Sequence, residues 1–353
     1  MLAVEARNRP PEQRLHRPGG CLAGVLGTTM AQPKVEFAIL GAGAIGSILG
    51  AHLARAGHSV LMLARERRAQ QIAEQGLCIT GLATFSQPVP VLADAAQFQG
   101  AEVLVVATKT YGMKAALDSL RHAQIGTAFS IQNGLMKNEQ LAEVFGLERV
   151  LGAVANTSGE LLPAGEVLFT RNEQLYLGEL QGNSSARAQK IAQAIAASGV
   201  CASAVADIES LEWSKFAGWI GPMVLSVTTR AETWRFLSDP DTVLVLVRLV
   251  HEVGALAAAC KVALSDQSML PVATVCRDSE VAAVASIQSL GRQLEADAPA
   301  HRMSTLQDLE AGRHLEVEET LGYAVRKALQ MNLSLPLLNS LYALVRGIDR
   351  IRH

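Results

Sequence analysis

Val35-Glu36-Phe37-Ala38-Ile39-Leu40 runs without a break into Gly41-Ala42-Gly43-Ala44-Ile45-Gly46. The first six residues form a short apolar run of the kind buried on both faces of a parallel sheet. The next six form a G-x-G-x-x-G. Residues 45–56 then carry the apolar spacing of a helix that stops near Gly57, and 59–63 (Ser59-Val60-Leu61-Met62-Leu63) form a second strand-like run. Strand, glycine turn, helix and strand together have the length of one βαβ unit. In that setting the glycines have a chemical reason: the turn is tight, and a pyrophosphate must approach bare backbone at a helix N-terminus. Gly41, Gly43, Ala44, Ile45 and Gly46 are therefore expected to bind a dinucleotide.

The end of the second strand selects among dinucleotides. An NAD site usually offers a carboxylate there to the ribose 2′-hydroxyl. This chain offers Leu63-Ala64-Arg65, with Arg67 and Arg68 close behind. A guanidinium suits a 2′-phosphate by charge and by its planar fork of donors, so Arg65 predicts NADPH. Arg67 and Arg68 read equally as a solvated helix face.

Outward from this unit, a helix is expected over 67–75, a small hairpin or edge over 77–90, and the clearest strand of the chain over 103–108. A helix over 115–121 and strands over 128–132 and 150–155 follow. Residues 166–170 and 174–178 read as a hairpin, 186–197 as an amphipathic helix and 203–206 as a last short strand. Beyond about residue 207 the pattern changes to long helical periods over 208–227, 241–260, 278–295, 304–330 and 335–348. The fold class is therefore α/β, with a Rossmann-type dinucleotide-binding domain over 34–206 and an all-α substrate and catalytic domain over 207–353. Residues 1–33 break all regular patterning with Arg7, Arg9, Arg14, Arg17, Pro10, Pro11 and Pro18, and read as a disordered leader or an upstream start ahead of Met30.

Composition narrows the class. The 353 residues are 49% hydrophobic and 18% charged, enough for a large interior, and the net charge of −2 gives no broad electrostatic grip on nucleic acid or acidic membranes. No apolar run is read as approaching the roughly 18 residues of a membrane span. The five cysteines have no metal-ligand or redox spacing and read as reduced, mostly buried thiols of a cytoplasmic protein. His251, His301 and His314 have no companions at ligand spacing, so no metal site is expected. The long apolar helices fit either a buried core or a homodimer seam.

Lys109 follows the strongest strand, and Asn133-Gly134 follows the next one; ligand crevices open at such carboxyl ends. At this point the residues resemble a known family. Lys109, the Gln132-Asn133-Gly134 turn, Leu211-Glu212-Trp213-Ser214-Lys215, and the segment from Leu306 through Asp308, Gly312 and His314 to Glu316 look together like ketopantoate reductase, over about 35–346. The resemblance implies NADPH-dependent reduction of a small keto acid, 2-dehydropantoate, to pantoate. It implies Lys215 as the general acid and Glu316 as the residue that orients substrate polar groups and helps hold the lysine. Ser304 would meet the substrate carboxylate, Asn133 would sit where nicotinamide and substrate join, and Lys109 would line the same cleft. One feature departs from the pattern: where the family carries asparagines one and two turns after the lysine, this chain has Trp219 and Met223. That favours, as an alternative, a bulkier and less hydroxylated ketone. A non-catalytic NADPH-binding sensor is the reading from another class, and retention of Lys215 and Glu316 argues against it.

Overall fold

The computed structural model describes residues 35–353; the expected leader, with Met30 and Cys21, lies outside the described residues. The first half alternates strand and helix: β1 (Phe37–Leu40), α1 (Ala44–Arg55), β2 (Val60–Leu63), α2 (Glu66–Gln75), β3 (Leu77–Gly81), β4 (Phe85–Gln87), β5 (Val91–Leu92), β6 (Gly100–Val106), α3 (Met113–Asp118), β7 (Gln124–Ser130), α4 (Met136–Phe145), β8 (Val150–Leu161), β9 (Val167–Glu179), α5 (Ala186–Ala197) and β10 (Ala202–Ala204). The second half is helical: α6 (Ile208–Thr229), α7 (Thr233–Ser238), α8 (Pro240–Ala259), α9 (Val272–Arg277), α10 (Glu280–Asp297), α11 (Ser304–Glu310), α12 (Leu321–Gln330) and α13 (Pro336–Arg352).

The strands form one sheet in the order β4-β3-β9-β8-β7-β6-β1-β2-β5, with β10 along β9. β1 pairs in parallel with β2 on one side and β6 on the other, so the chain order reverses beside the glycine turn. Such a switch point opens a crevice at the carboxyl ends of the strands. Each face of the sheet has its own core. Ile39, Ile48, Met62, Val105 and Phe129 pack on one side, and Leu40, Leu104, Met113, Leu117 and Phe145 on the other. The helical half has a third core around α6 and α8. Contacts between α6 and β8 join the halves, and the described residues pack as one compact unit.

Four expectations are corrected. The hairpin over 166–178 is instead one strand, β9, paired antiparallel with β8. Its polar centre misleads because Asn172 sits at a register shift, where its side chain accepts from Cys201 N and donates to Gly199 O. The single helix over 304–330 is two helices. α11 ends in a Schellman motif: Gly312 takes φ +65°, Arg313 N donates to Asp308 O at 2.9 Å, and Gly312 N to Leu309 O at 3.2 Å. The thiols of the described residues are free but not buried, since Cys201 and Cys276 are exposed and Cys78 and Cys260 half-buried. Lastly, α8 is by length and composition apolar enough to cross a membrane. Its Val243, Leu246, Val247, Val250, Val253 and Leu256 are fully buried in the helical core, which accounts for that apolarity.

Candidate active site

The glycine turn is built by close approach. Gly41 takes φ +108°, and a Cβ there would lie 2.7 Å from Thr108 N. A Cβ on Gly46 would lie 2.1 Å from Gly41 O, so α1 reaches the strand only without one. Gly43 differs, because its Cβ would meet nothing nearer than Ala107 O at 3.9 Å. The open side above Gly43 is where a ligand fits. Gly43 also caps α1 without a side-chain acceptor, and the first turn holds no acidic residue. The first N–H groups of α1 are thus left to an external anion, and the cradle suits a pyrophosphate. Ala44 and Ile45 are half-exposed on the same turn.

Arg68 holds this cradle from behind. Its guanidinium donates to Ala42 O at 3.1 Å, Ser47 Oγ at 3.2 Å and Gly165 O at 2.8 Å. It is a brace, neither a solvated helix residue nor a free phosphate contact. Arg67 is exposed. Arg65 caps α2 at the carboxyl end of β2 and is exposed, with its guanidinium over the Thr110–Gly112 turn.

Lys109 follows β6 and is paired across the cleft. Its Nζ lies 2.5 Å from Asp308 Oδ2 and 3.5 Å from Glu316 Oε2. Burial acts to lower the Lys109 pKa, but the charges of Glu316 and Asp308 and the Asp308 hydrogen bond outweigh it, and the net shift is upward. Glu316 also accepts from Thr110 N at 2.9 Å. The break after α11 makes this contact available. In the linker, Leu315 and Val317 are buried at 4% and 2% exposure, so Glu316 between them turns to the opposite side, toward Lys109. Asp308 is held in turn by Arg313 Nε at 2.7 Å.

A small, open recess is lined by the Gln132-Asn133-Gly134 turn, Lys137, Glu212, Lys215 and Trp219 among others. Gln132 fixes the turn by donating to Thr108 O at 2.7 Å. Gly134 takes φ +88°, and a Cβ there would stand 3.3 Å from Thr320 Cγ2, so the turn and the Glu316 linker meet closely. At the base lies a buried ion pair, Lys137 Nζ to Glu212 Oε1 at 2.5 Å. Lys137 also donates to Ala153 O and Ser130 O, and Glu212 also accepts from Asn138 Nδ2 and Ala153 N. Among the described residues Lys215 has no such carboxylate; its Nζ donates to Ala155 O at 2.5 Å. Burial first, then the charge of Lys137, lower its pKa to about 8 against the pull of Glu212.

Thus Asn133 and Lys215 share one recess, and Lys109 and Glu316 share one ion cluster. Glu316 is tied to Lys109 and Thr110 rather than to Lys215. Ser304 is exposed in the first turn of α11, one turn before Asp308 and on the same helix face. Trp219 stands on the recess wall, whereas Met223 is fully buried in the helical core and does not line it. Lys137 was not expected here, and Asp308 and Glu212 were named in the motifs without a role. For Asp308 the Ala311-Gly312 stop was the available signal, since it frees the linker; the Lys137–Glu212 pairing spans 75 positions and leaves none. Folding brings Asp349 and His353 to His314, with their potential ligand atoms all within 4.8 Å of one another.

Comparison with known proteins follows this geometry. A family model described as ketopantoate reductase PanE/ApbA matches residues 37–182, and its C-terminal counterpart matches 207–349. The 2-dehydropantoate 2-reductase of Archaeoglobus fulgidus is 28% identical over 311 residues, 88% of this chain and 97% of that protein. A PanE/ApbA family ketopantoate reductase from Ralstonia eutropha superposes with TM-score 0.75 at 25% identity, covering 90% of this chain and 99% of its own. The fold is shared too with a D-mandelate dehydrogenase solved with NADH and anilino(oxo)acetate, at TM-score 0.77 and 20% identity, covering 90% of this chain and 99% of its own. With both halves matched in order, the chain belongs to the ketopantoate reductase family of oxidoreductases acting on CH–OH groups.

Proposed function

We propose that this protein reduces the ketone of a 2-keto acid, with 2-dehydropantoate as the first candidate, using NADPH in the cytoplasm. The observation that carries the reading is Lys215: a desolvated ammonium without a carboxylate partner, on the wall of a recess it shares with Asn133. NADPH, when bound, supplies the hydride. Gly41, Gly43, Ala44, Ile45 and Gly46 hold its pyrophosphate on backbone N–H groups, and Arg65 takes the 2′-phosphate. Asn133 and Lys109 line the junction of cofactor and substrate. Glu316, fixed by Thr110 N, accepts from substrate hydroxyls, and Ser304 serves the substrate carboxylate. Lys215 Nζ gives its proton to the ketone oxygen as negative charge develops there, and the cation stabilises that charge beforehand.

Trp219 supports a second reading, a bulkier and less hydroxylated keto acid. An indole fills part of the wall where a hydroxyl-rich substrate needs polar partners. The test is consumption of NADPH and of NADH by the purified protein with 2-dehydropantoate, then with a panel of larger 2-keto acids. NADPH-preferring turnover of 2-dehydropantoate sustains the first reading. Turnover of larger ketones alone replaces it with the second, and no turnover of any ketone removes both.

A further inference from the structure

We propose that His314, Asp349 and His353 bind one divalent transition-metal ion of the borderline class, Zn²⁺, Co²⁺ or Ni²⁺, at the junction of α13 and the linker that carries Glu316. Asp349 and His353 are four positions apart at the end of α13 and so share a face, the spacing that lets two helical side chains chelate one ion. His314 comes from the linker, two residues before Glu316.

The cluster is more than one ion pair, because both imidazoles face the same carboxylate. His314 Nδ1 lies 3.5 Å from Asp349 Oδ2, and His353 Nε2 lies 3.9 Å from Asp349 Oδ1. Neither is within normal hydrogen-bond reach. The His314–Asp349 separation is near the distance of about 3.4 Å that two ligand atoms have when each sits roughly 2.1 Å from a common tetrahedral centre, and His353 faces the other oxygen of the same carboxylate, with the potential ligand atoms all within 4.8 Å of one another. The two imidazole rings also lie against each other, 3.8 Å apart between centroids and tilted by 38°. The carboxylate is also oriented in advance: Asp349 Oδ1 accepts from Leu315 N at 2.9 Å, an outer contact of the sort that aims a metal ligand.

The donor set names the class. Two imidazole nitrogens and one carboxylate oxygen suit Zn²⁺, Co²⁺ and Ni²⁺ and are poor for Mg²⁺ or Ca²⁺, which want oxygen cages. The His314 side chain is 61% exposed, which gives the ion an entry path and leaves the other coordination positions to water. An ion here ties the end of α13 to the linker, beside Leu315 and hence beside Glu316. The proposal does not depend on which ketone the enzyme reduces.

The experiment is titration of the chelator-stripped full chain with Co²⁺, read by visible absorption, and with Zn²⁺, read by calorimetry. One equivalent should bind, and Zn²⁺ should raise Tm. His314→Ala and His353→Ala should each weaken binding by about tenfold or more and abolish the Tm shift, with circular dichroism unchanged because these are surface side chains. Asp349→Asn, which keeps an acceptor for Leu315 N, should weaken it as well. Absence of saturable uptake, or uptake equally tight in the two histidine variants, overturns the site and moves any metal binding elsewhere, such as to the free thiols.

Discussion

Lys109 and Lys215 are treated by the fold in opposite ways. Lys109 is clamped by Asp308 and Glu316, and its pKa is raised. Lys215 is desolvated beside a second cation, Lys137, whose own carboxylate is fully engaged, and its pKa falls to about 8. A cation held by carboxylates cannot easily give up a proton; it positions and binds. One held only by a carbonyl, with burial against it, loses its proton near neutral pH and is matched to acid catalysis. The same residue type is thus set in two opposite electrostatic states, and the neighbours decide which.

The largest effect should come from the pair that makes Lys215 unusual. Glu212→Gln leaves Lys137 buried without a countercharge, at 3% side-chain exposure. Loss of one partner of a buried pair costs about 3–5 kcal/mol. Urea denaturation should show that drop; a loss near zero would mean that Lys137 finds other partners and does not act as a fixed charge beside Lys215. The double replacement Lys137→Met with Glu212→Leu should recover much of the stability, since apolar pairs of similar size often do. Next in size is Lys215→Ala, expected to lower turnover by about two orders of magnitude or more, about 2.7 kcal/mol of barrier. Cofactor affinity, read by fluorescence, should stay near that of the unaltered protein. Unchanged turnover would end the role assigned to Lys215 and leave Lys109 as the cation nearest the chemistry.

The two lysines were not equally legible beforehand. Both positions follow from local pattern and resemblance: Lys109 from the strand over 103–108, Lys215 from Glu212-Trp213-Ser214-Lys215. The βαβ unit around Gly41, Gly43 and Gly46 was readable for the same reason, since its glycines, strand and helix are neighbours in the chain. What distinguishes the lysines was not readable, because it rests on contacts 199 positions apart for Lys109–Asp308 and 75 for Lys137–Glu212. The break at Gly312 was legible in principle, as an Ala-Gly stop. Helical periodicity continuing to residue 330 overrode it, and with it the linker that lets Glu316 face Lys109. The apparent turn in β9 failed the other way, because polar residues at a register shift imitate a loop.

A pH profile sharpens the comparison at smaller amplitude. If the acid is Lys215, the protonated form is the active one. Its pKa lies below that of an ordinary lysine, so the proton is lost earlier as pH rises. The ratio kcat/KM for ketone reduction should therefore be level below about pH 7 and fall about tenfold per unit above about 8. Lys109, shifted upward, stays protonated over that range. A profile level through pH 9 would assign the chemistry away from Lys215.

The smallest expected effect concerns Trp219, which stands one turn after Lys215 on the recess wall, while Met223 one turn further is buried and out of reach. Trp219→Asn exchanges an apolar wall for a group that can donate to and accept from a substrate hydroxyl. Relative kcat/KM should move toward 2-dehydropantoate and away from larger ketones by about 1–3 kcal/mol, the range of a single pocket contact. Met223→Asn has no comparable route to the substrate. It buries a polar amide in the helical core and should lower stability without changing preference between ketones. A shift in preference from Met223→Asn equal to that from Trp219→Asn would mean that the helix turns in the working enzyme and that this recess is not the substrate wall. A shift from Trp219→Asn alone places substrate selection on the same helix face as the acid, one turn from Lys215 and apart from the carboxylate-clamped Lys109.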